Sequence, residues 1–127
     1  MTILLVDDDP LTLEALRRLL ERAGHAVTAF QTGGEALDWL SAHTPDAIIL
    51  DIVMPQLSGY DVCRRLRRLP HVRRTPVVFL TSKDRSADMA EAREAGSDLF
   101  VTKPVLAARL VKLLSGIRSP LPAGVTP

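Results

Sequence analysis

The stretch Ala47–Pro55, which reads Ala-Ile-Ile-Leu-Asp-Ile-Val-Met-Pro, decides the fold of this 127-residue chain. Its first four residues are an apolar run too short for a helix and typical of a strand buried on both faces of a parallel sheet. Asp51 therefore stands at the carboxyl end of a strand. Ligands of open α/β sheets bind at that end, so Asp51 is the first candidate for a reacting group.

Strand and helix patterns alternate on both sides of this stretch. Counting the stretch itself as β3, short strand-like runs predict β1 at Ile3–Val6, β2 at Ala26–Phe30, β4 at Pro76–Thr81 and β5 at Asp98–Thr102. Apolar residues at helical spacing predict α1 at Pro10–Ala23, α2 from Gly33 to about Ala42, α4 at Ser86–Ala95 and α5 around Leu106–Leu114. They also predict α3, which follows a turn closed by Gly59 and ends at Pro70. Asp9 is a natural N-cap for α1, and Gly24 a natural stop.

This alternation predicts an α/β fold. Right-handed crossovers between successive strands give a parallel sheet with helices on both faces. β1, β3 and β4 are continuously apolar, as central strands are, whereas β2 and β5 contain Thr28 and Thr102 and are typical of edges. We therefore predict a flavodoxin-like (βα)5 doubly wound parallel sheet with strand order 2-1-3-4-5.

Composition limits the function classes. The length suits one domain, which we place at residues 1–117, followed by a Pro-rich tail or linker stub at 118–127 that we expect to be disordered. A formal net charge of +1 gives no general reason to expect nucleic acid or a membrane surface as a direct partner. Cys63 is the only cysteine, which excludes an intrachain disulfide. With no membrane-spanning run and no signal-peptide pattern, we expect a cytoplasmic protein.

An acidic cluster is predicted where β1 and β3 end. In the predicted strand order these strands are neighbours, so Asp7 and Asp8 after β1 meet Asp51 after β3. Carboxylates at about 4 Å repel by roughly 4 kcal/mol per pair at an effective dielectric near 20. Either one carboxyl takes a proton or a divalent cation binds. An all-oxygen site without His or Cys favours Mg²⁺.

Two further groups are delivered to the same edge of the sheet. Thr81 ends β4 and Lys103 follows β5, which adds a hydroxyl and an ammonium group to the acids. Phosphoryl transfer to an aspartate requires this combination, because negative charge spreads over the phosphoryl oxygens in the transition state and must be stabilised electrostatically. We therefore interpret Asp51, Thr81 and Lys103 as the reacting and charge-stabilising groups.

With these residues in place, the chain resembles the receiver domain of a bacterial two-component response regulator from Thr2 to Gly116. The motifs that carry the resemblance are Asp7-Asp8, the Leu-Asp-Ile-Val-Met-Pro segment around Asp51, Thr81-Ser82, Gly96-Ser97-Asp98 and Lys103-Pro104. The resemblance implies a signalling switch and not a conventional enzyme, since its catalytic groups would serve only its own phosphorylation and dephosphorylation.

The resemblance also implies roles for particular residues. A sensor histidine kinase or a histidine phosphotransfer protein would phosphorylate Asp51. Mg²⁺ would be held by Asp8, Asp51 and the Val53 backbone carbonyl, and by Asp7 through water.

The switch implied by the resemblance lies in β4 and β5. Thr81 would move toward the phosphoryl oxygens and Phe100 into the space that Thr81 vacates, remodelling the α4-β5-α5 face where an output domain, an effector or a second copy of the chain would bind. A change of this kind is a population shift between two states.

Simpler or different interpretations remain for these residues. Taken alone, Asp7 and Asp8 fit a solvated turn, Thr81 a strand-edge hydroxyl and Lys103 a surface lysine. A haloacid dehalogenase-type phosphatase also forms an aspartyl phosphate, but it needs a second Asp where this chain has Val53. A flavodoxin-like electron carrier needs a phosphate-binding loop after β1, where three acids would repel FMN phosphate. A degenerate receiver that binds partners without phosphate is a further alternative.

One basic patch stands out. It comprises the arginines of α3 and of the connection that follows, Arg64, Arg65, Arg67, Arg68, Arg73 and Arg74. A solvated helix face is favoured over nucleic acid binding, because no aromatic residues interleave the charges. Docking to an acidic partner ranks between these two.

Overall fold

Five parallel strands form the centre of the fold. The computed structural model describes residues 1–81, 99–102 and 107–118. The strands are β1 Thr2–Val6, β2 Ala26–Phe30, β3 Ala47–Asp51, β4 Val77–Thr81 and β5 Leu99–Thr102. Their order is β2-β1-β3-β4-β5, and every neighbouring pair is parallel. The predicted doubly wound α/β fold and its strand order are confirmed.

The described helices are α1 Pro10–Arg22, α2 Gly33–Leu40, α3 Gly59–Leu66 and α5 Ala107–Arg118, with a 3₁₀ helix at Pro70–Val72. The predicted α4 at Ser86–Ala95 lies outside the described residues, as do Lys103 and the tail. α2 ends two residues before the predicted Ala42. α3 ends at Leu66, with Arg67 as its C-cap, before Pro70 could stop it. Pro70 instead begins the 3₁₀ helix, where its fixed φ and missing N–H cost nothing.

Local sequence accounts for the helix starts. The Asp9 side chain accepts hydrogen bonds from the Leu11 N–H at 3.3 Å and the Thr12 hydroxyl at 2.5 Å, as an N-cap should. Gly24 follows α1 at φ +96°, a conformation that glycine adopts without steric cost. Ser58 and Asp61 form a capping box that begins α3.

Two apolar layers sandwich the sheet. One face packs against α2 and α3 and the other against α1 and α5, which is the doubly wound arrangement. β3 is buried along its whole length, so alternate residues such as Ile49 and Leu50 enter opposite layers. Cys63 is buried in the α2/α3 layer, consistent with the packing role expected of a lone cysteine. None of the described helices is long and apolar enough to cross a membrane.

Candidate functional site

The three predicted acids converge at the carboxyl edge of the sheet. β1 and β3 run side by side with Val6 opposite Leu50, so the residues that follow these two strand positions are neighbours. Asp7, Asp8 and Asp51 each offer a carboxylate oxygen, and the three oxygens lie within 4.8 Å of one another. The acidic cluster predicted from strand order is therefore confirmed by the geometry.

The three acids differ in exposure. Asp7 is fully buried and Asp51 is 6% exposed, whereas Asp8 faces solvent. The backbone N–H of Asp7 donates to the Phe30 carbonyl of β2 at 3.2 Å, and its Oδ1 accepts from the Asp9 N–H at 2.9 Å. Asp7 is thus fixed by main-chain contacts, while Asp8 presents the accessible carboxylate of the cluster.

The loop after Asp51 is closed by backbone hydrogen bonds. The Ile52 N–H donates to the Leu80 carbonyl at 3.1 Å, and the Gly59 N–H donates to the Ile52 carbonyl at 2.8 Å. The Leu57 N–H donates to the Pro55 carbonyl at 2.8 Å across Gln56, whose φ is +69°. An i to i+2 bond about such a φ is a γ-turn of the rare strained type. This backbone strain lies a few residues after Asp51, and local strain often occurs near functional sites.

Gly59 allows the start of α3 to approach the acids. A Cβ at this position would overlap the Asp51 carbonyl oxygen and lie 3.0 Å from the Ile52 Cα. Only glycine leaves room for the main chain here. The sequence indicated a turn closed by Gly59, but it gave no signal for this contact or for the γ-turn at Gln56.

For the remaining predicted site residues the structure gives a strand position or an exposure, and Lys103 is not described. Thr81 is the last residue of β4, one position beyond Leu80, which pairs with Asp51. Phe100 lies on β5 opposite Phe79. The Val53 side chain is 69% exposed. Lys103 lies outside the described residues, one position beyond the end of β5.

The donor set suits a hard divalent cation. Three carboxylates supply only oxygen ligands, which Mg²⁺ prefers, and one of the three is open to solvent. At about 5 Å and an effective dielectric near 20, each pair of charges repels by roughly 3 kcal/mol, so a bound cation would relieve the repulsion. The residues present therefore fit a magnesium site.

The sequence matches the family described as the response regulator receiver domain over residues 3–115. It is 40% identical over 117 residues to the response regulator MprA of Mycolicibacterium vanbaalenii, a match that covers 92% of this chain and 48% of the relative. For the protein of the same name from Mycobacterium avium, the identity is 39% over 119 residues, covering 94% and 50%. The chain thus spans about half the length of these curated relatives.

Solved structures from Vibrio cholerae and Pseudomonas aeruginosa have the same fold. The chemotaxis protein CheY4 of Vibrio cholerae superposes with a TM-score of 0.88 at 27% identity, covering 91% of this chain and 97% of that one. The receiver domain of the sensor histidine kinase PA1611 from Pseudomonas aeruginosa gives 0.86 at 31% identity, covering 93% and 98%. That structure has a magnesium ion coordinated in its active site cleft.

Proposed function

This chain belongs to the response regulator receiver domain family, and from that membership we propose that Asp51 accepts a phosphoryl group from a histidine kinase or a histidine phosphotransfer protein. Receiver domains are the signalling modules of two-component systems. The observation that carries the assignment to Asp51 is its position at the end of β3, with its carboxylate within 4.8 Å of those of Asp7 and Asp8.

The proposed transfer needs little covalent chemistry from the protein. An Asp51 carboxylate oxygen forms a bond to phosphorus while the bond from phosphorus to the donor imidazole nitrogen breaks. The nitrogen keeps the electron pair, and the phosphoryl oxygens retain their charge. Because a carboxylate has no proton to remove, no separate general base is required. Positioning and charge stabilisation are then the main tasks of the site.

We assign the cation ligands from the resemblance and from the donor set. Asp8, Asp51 and the Val53 carbonyl would hold Mg²⁺, with Asp7 acting through water. Burial supports this division, because Asp7 is fully enclosed and Asp8 is exposed. When bound, Mg²⁺ would neutralise the carboxylates and the charge on the incoming phosphoryl group. The magnesium ion in the active site cleft of the PA1611 receiver domain supports Mg²⁺ as the cation.

The signal would leave the site through β4 and β5. These strands are paired, with Phe79 opposite Phe100 and Thr81 opposite Thr102. We propose that Thr81 and Lys103 contact the phosphoryl oxygens and that Phe100 changes position in response. A phosphoryl group would thereby favour one of two states of the α4-β5-α5 face.

The proposed partners at that face are an output domain, an effector or a second copy of the chain. The relatives are about twice as long as this chain, which supports an output domain as one of these partners. On this proposal residues 1–117 are the receiver unit and 118–127 are a tail or the start of a linker.

Intact mass spectrometry after incubation with acetyl phosphate tests the proposal. With Mg²⁺ present we expect the wild-type chain to gain the mass of one phosphoryl group. The gain should be absent without Mg²⁺ and in Asp51→Asn. Asp38→Asn, which alters an exposed carboxylate on α2, is the matched control and should behave as wild type. An unchanged adduct in Asp51→Asn would overturn the proposal.

A further inference from the structure

Four exposed arginines form a surface at the end of α3 and in the connection to β4. We call Arg65, Arg68, Arg73 and Arg74 the arginine surface. The only acid between residues 59 and 76 is Asp61, and its carboxylate accepts hydrogen bonds from Ser58 and forms an ion pair with Arg64 at 3.7 Å. The arginine surface therefore carries positive charge with little local compensation.

Among the described residues, the arginines of this surface lack the ion pairs that Arg17 and Arg18 make on α1. On α1, Arg17 pairs with Glu14 and Glu21, and Arg18 pairs with Glu14. In the part of the chain that the structure describes, no carboxylate lies within ion-pair distance of any arginine of the surface. Exposed arginines without acids attract an anionic partner over about one Debye length, roughly 8 Å at physiological salt.

The connection that carries Arg73 and Arg74 is held in place by side chains. Arg67 belongs to the predicted basic patch, but it is half-buried and not fully exposed. Its guanidinium donates to the carbonyls of Arg73 at 3.0 Å and Thr75 at 2.6 Å. The side chain of Val72 is fully buried and anchors the connection to the core.

A second tether joins the same connection to α2. The ring of His71 donates from Nε2 to the Leu40 carbonyl at 2.5 Å, which also satisfies a carbonyl at the end of α2. Because these contacts fix the main chain of the connection, less conformational entropy is lost when Arg73 and Arg74 bind a partner.

The arginine surface and the acidic cluster lie at opposite ends of the sheet. Gly59, the first residue of α3, contacts the main chain of Asp51. α3 then leads away from the carboxyl edge, and the connection reaches β4 at Val77, where that parallel strand begins. A partner on the arginine surface would leave the acidic cluster accessible.

We propose that the arginine surface docks an acidic segment of another protein. Guanidinium groups bind carboxylates through paired hydrogen bonds, which makes arginine well suited to such contacts. Nucleic acid is disfavoured because the chain has a net charge of only +1 and a pI near 8.0, whereas nucleic-acid-binding domains are usually more basic. The surface also has no aromatic residue on which bases could stack.

An NMR titration of the full chain with a short oligoglutamate peptide tests this inference. Shifts should concentrate at the amides of residues 64–75, and binding should weaken as salt is raised. In the double variant Arg65→Glu, Arg68→Glu the affinity for the peptide should fall by about tenfold or more, because two attractions between arginine and glutamate become repulsions. Arg22→Glu, at an exposed position on α1, is the matched control and should retain the affinity. The neutral pair Arg65→Gln, Arg68→Gln should show a smaller loss and guards against misfolding of the charge-reversed chain.

Three outcomes would overturn the inference. The first is equal loss of affinity in Arg22→Glu, which would indicate a general charge effect. The second is tighter binding of duplex DNA or of anionic vesicles than of oligoglutamate. The third is loss of oligoglutamate binding when beryllofluoride and Mg²⁺ occupy the acidic cluster. The first two outcomes do not depend on whether Asp51 accepts a phosphoryl group.

Discussion

Among single residues, the contrast between Asp7 and Asp8 is the most informative feature of the site. Both follow β1, but the first is enclosed and bonded to the Asp9 N–H, while the second is open to solvent. A carboxylate that is both near Asp51 and accessible can exchange water for a cation with little rearrangement. On the proposed ligand set, we therefore expect Asp8 to contribute more to cation affinity than Asp7 does.

Asp8→Asn should therefore weaken Mg²⁺ binding. Removing one charged ligand leaves the cation with fewer negative groups, and we expect the dissociation constant to rise by about tenfold or more. Isothermal titration calorimetry on the wild type, Asp8→Asn and the Asp38→Asn control measures the change. Equal affinities in all three would remove Asp8 from the ligand set.

Gly59→Ala should destabilise the loop that carries the site. The new methyl group would overlap the Asp51 carbonyl, so α3 or the loop must shift, at about 1–3 kcal/mol for overpacking. Gly34→Ala is the matched control, because a Cβ there meets nothing within 4 Å and alanine is the better helix former. Urea unfolding should show a loss for the first variant and no loss for the second. If both variants unfolded at the wild-type midpoint, the close approach at Gly59 would be refuted.

Some residues of the site could be predicted from the sequence and others could not. Asp7, Asp8 and Asp51 were predictable because each follows an apolar run that marks a strand end. The positive φ of Gln56 was not, because glutamine has no preference for that conformation and the turn is imposed by loop closure. The hydrogen bonds of Arg67 were hidden for a similar reason, since their acceptors are main-chain carbonyls that sequence patterns do not reveal.

Among the elements, α1 shows how exposed charges contribute to stability. Glu14 lies one helical turn from both Arg17 and Arg18 and bonds to both. The hydrogen bond from Arg17 holds the pKa of the Glu14 carboxyl below its ordinary value, although partial desolvation opposes the effect. Because the folded-state pKa is the lower one, the contribution to stability is present above the unfolded-state pKa and is lost as the pH falls through the folded-state value.

Glu14→Gln should thus lower stability slightly at neutral pH and not at acid pH. The loss is expected to be small because both partners are partly exposed and their attraction is screened by salt. Urea midpoints measured at neutral pH and again well below the ordinary pKa of a glutamate check the prediction. A difference between variant and wild type that persisted undiminished at acid pH would mean that packing, and not charge, explains it.

Element boundaries were less predictable than element types. The start of α1 was marked by Asp9 and Pro10, and its end by Gly24, all of which the structure confirms. The end of α3 was not marked, because Leu66, Arg67 and Leu69 have no strong local preference and the chain turns before it reaches Pro70. Tertiary contacts of Arg67 and His71 decide that turn.

At the scale of the whole molecule, the doubly wound sheet explains why strand order was readable. A central parallel strand is covered on both faces and must be apolar throughout, whereas an edge strand tolerates polar residues. β3 and β4 are buried, as central strands should be. β2 is only partly buried, as an edge strand should be. The strand order then fixes which loops share the functional edge.

Matched valine-to-alanine substitutions should measure the difference in burial between a central strand and an edge strand. Val78→Ala in β4 removes two fully buried methyl groups and should cost about 2–3 kcal/mol. Val27→Ala in β2 removes the same atoms from a partly exposed site and should cost about half as much or less. Denaturant unfolding of both variants measures the two losses. Equal losses would contradict the assignment of β2 to an edge.

We propose Asp51 as the phosphoacceptor, and chemical mapping of the phosphorylated residue is the most direct test. Borohydride reduces an aspartyl phosphate to homoserine, so the chain can be treated with acetyl phosphate and Mg²⁺, reduced, digested and analysed by tandem mass spectrometry. We predict homoserine at position 51 and at no other aspartate. Homoserine at Asp7, Asp8 or any aspartate other than Asp51 would contradict the account.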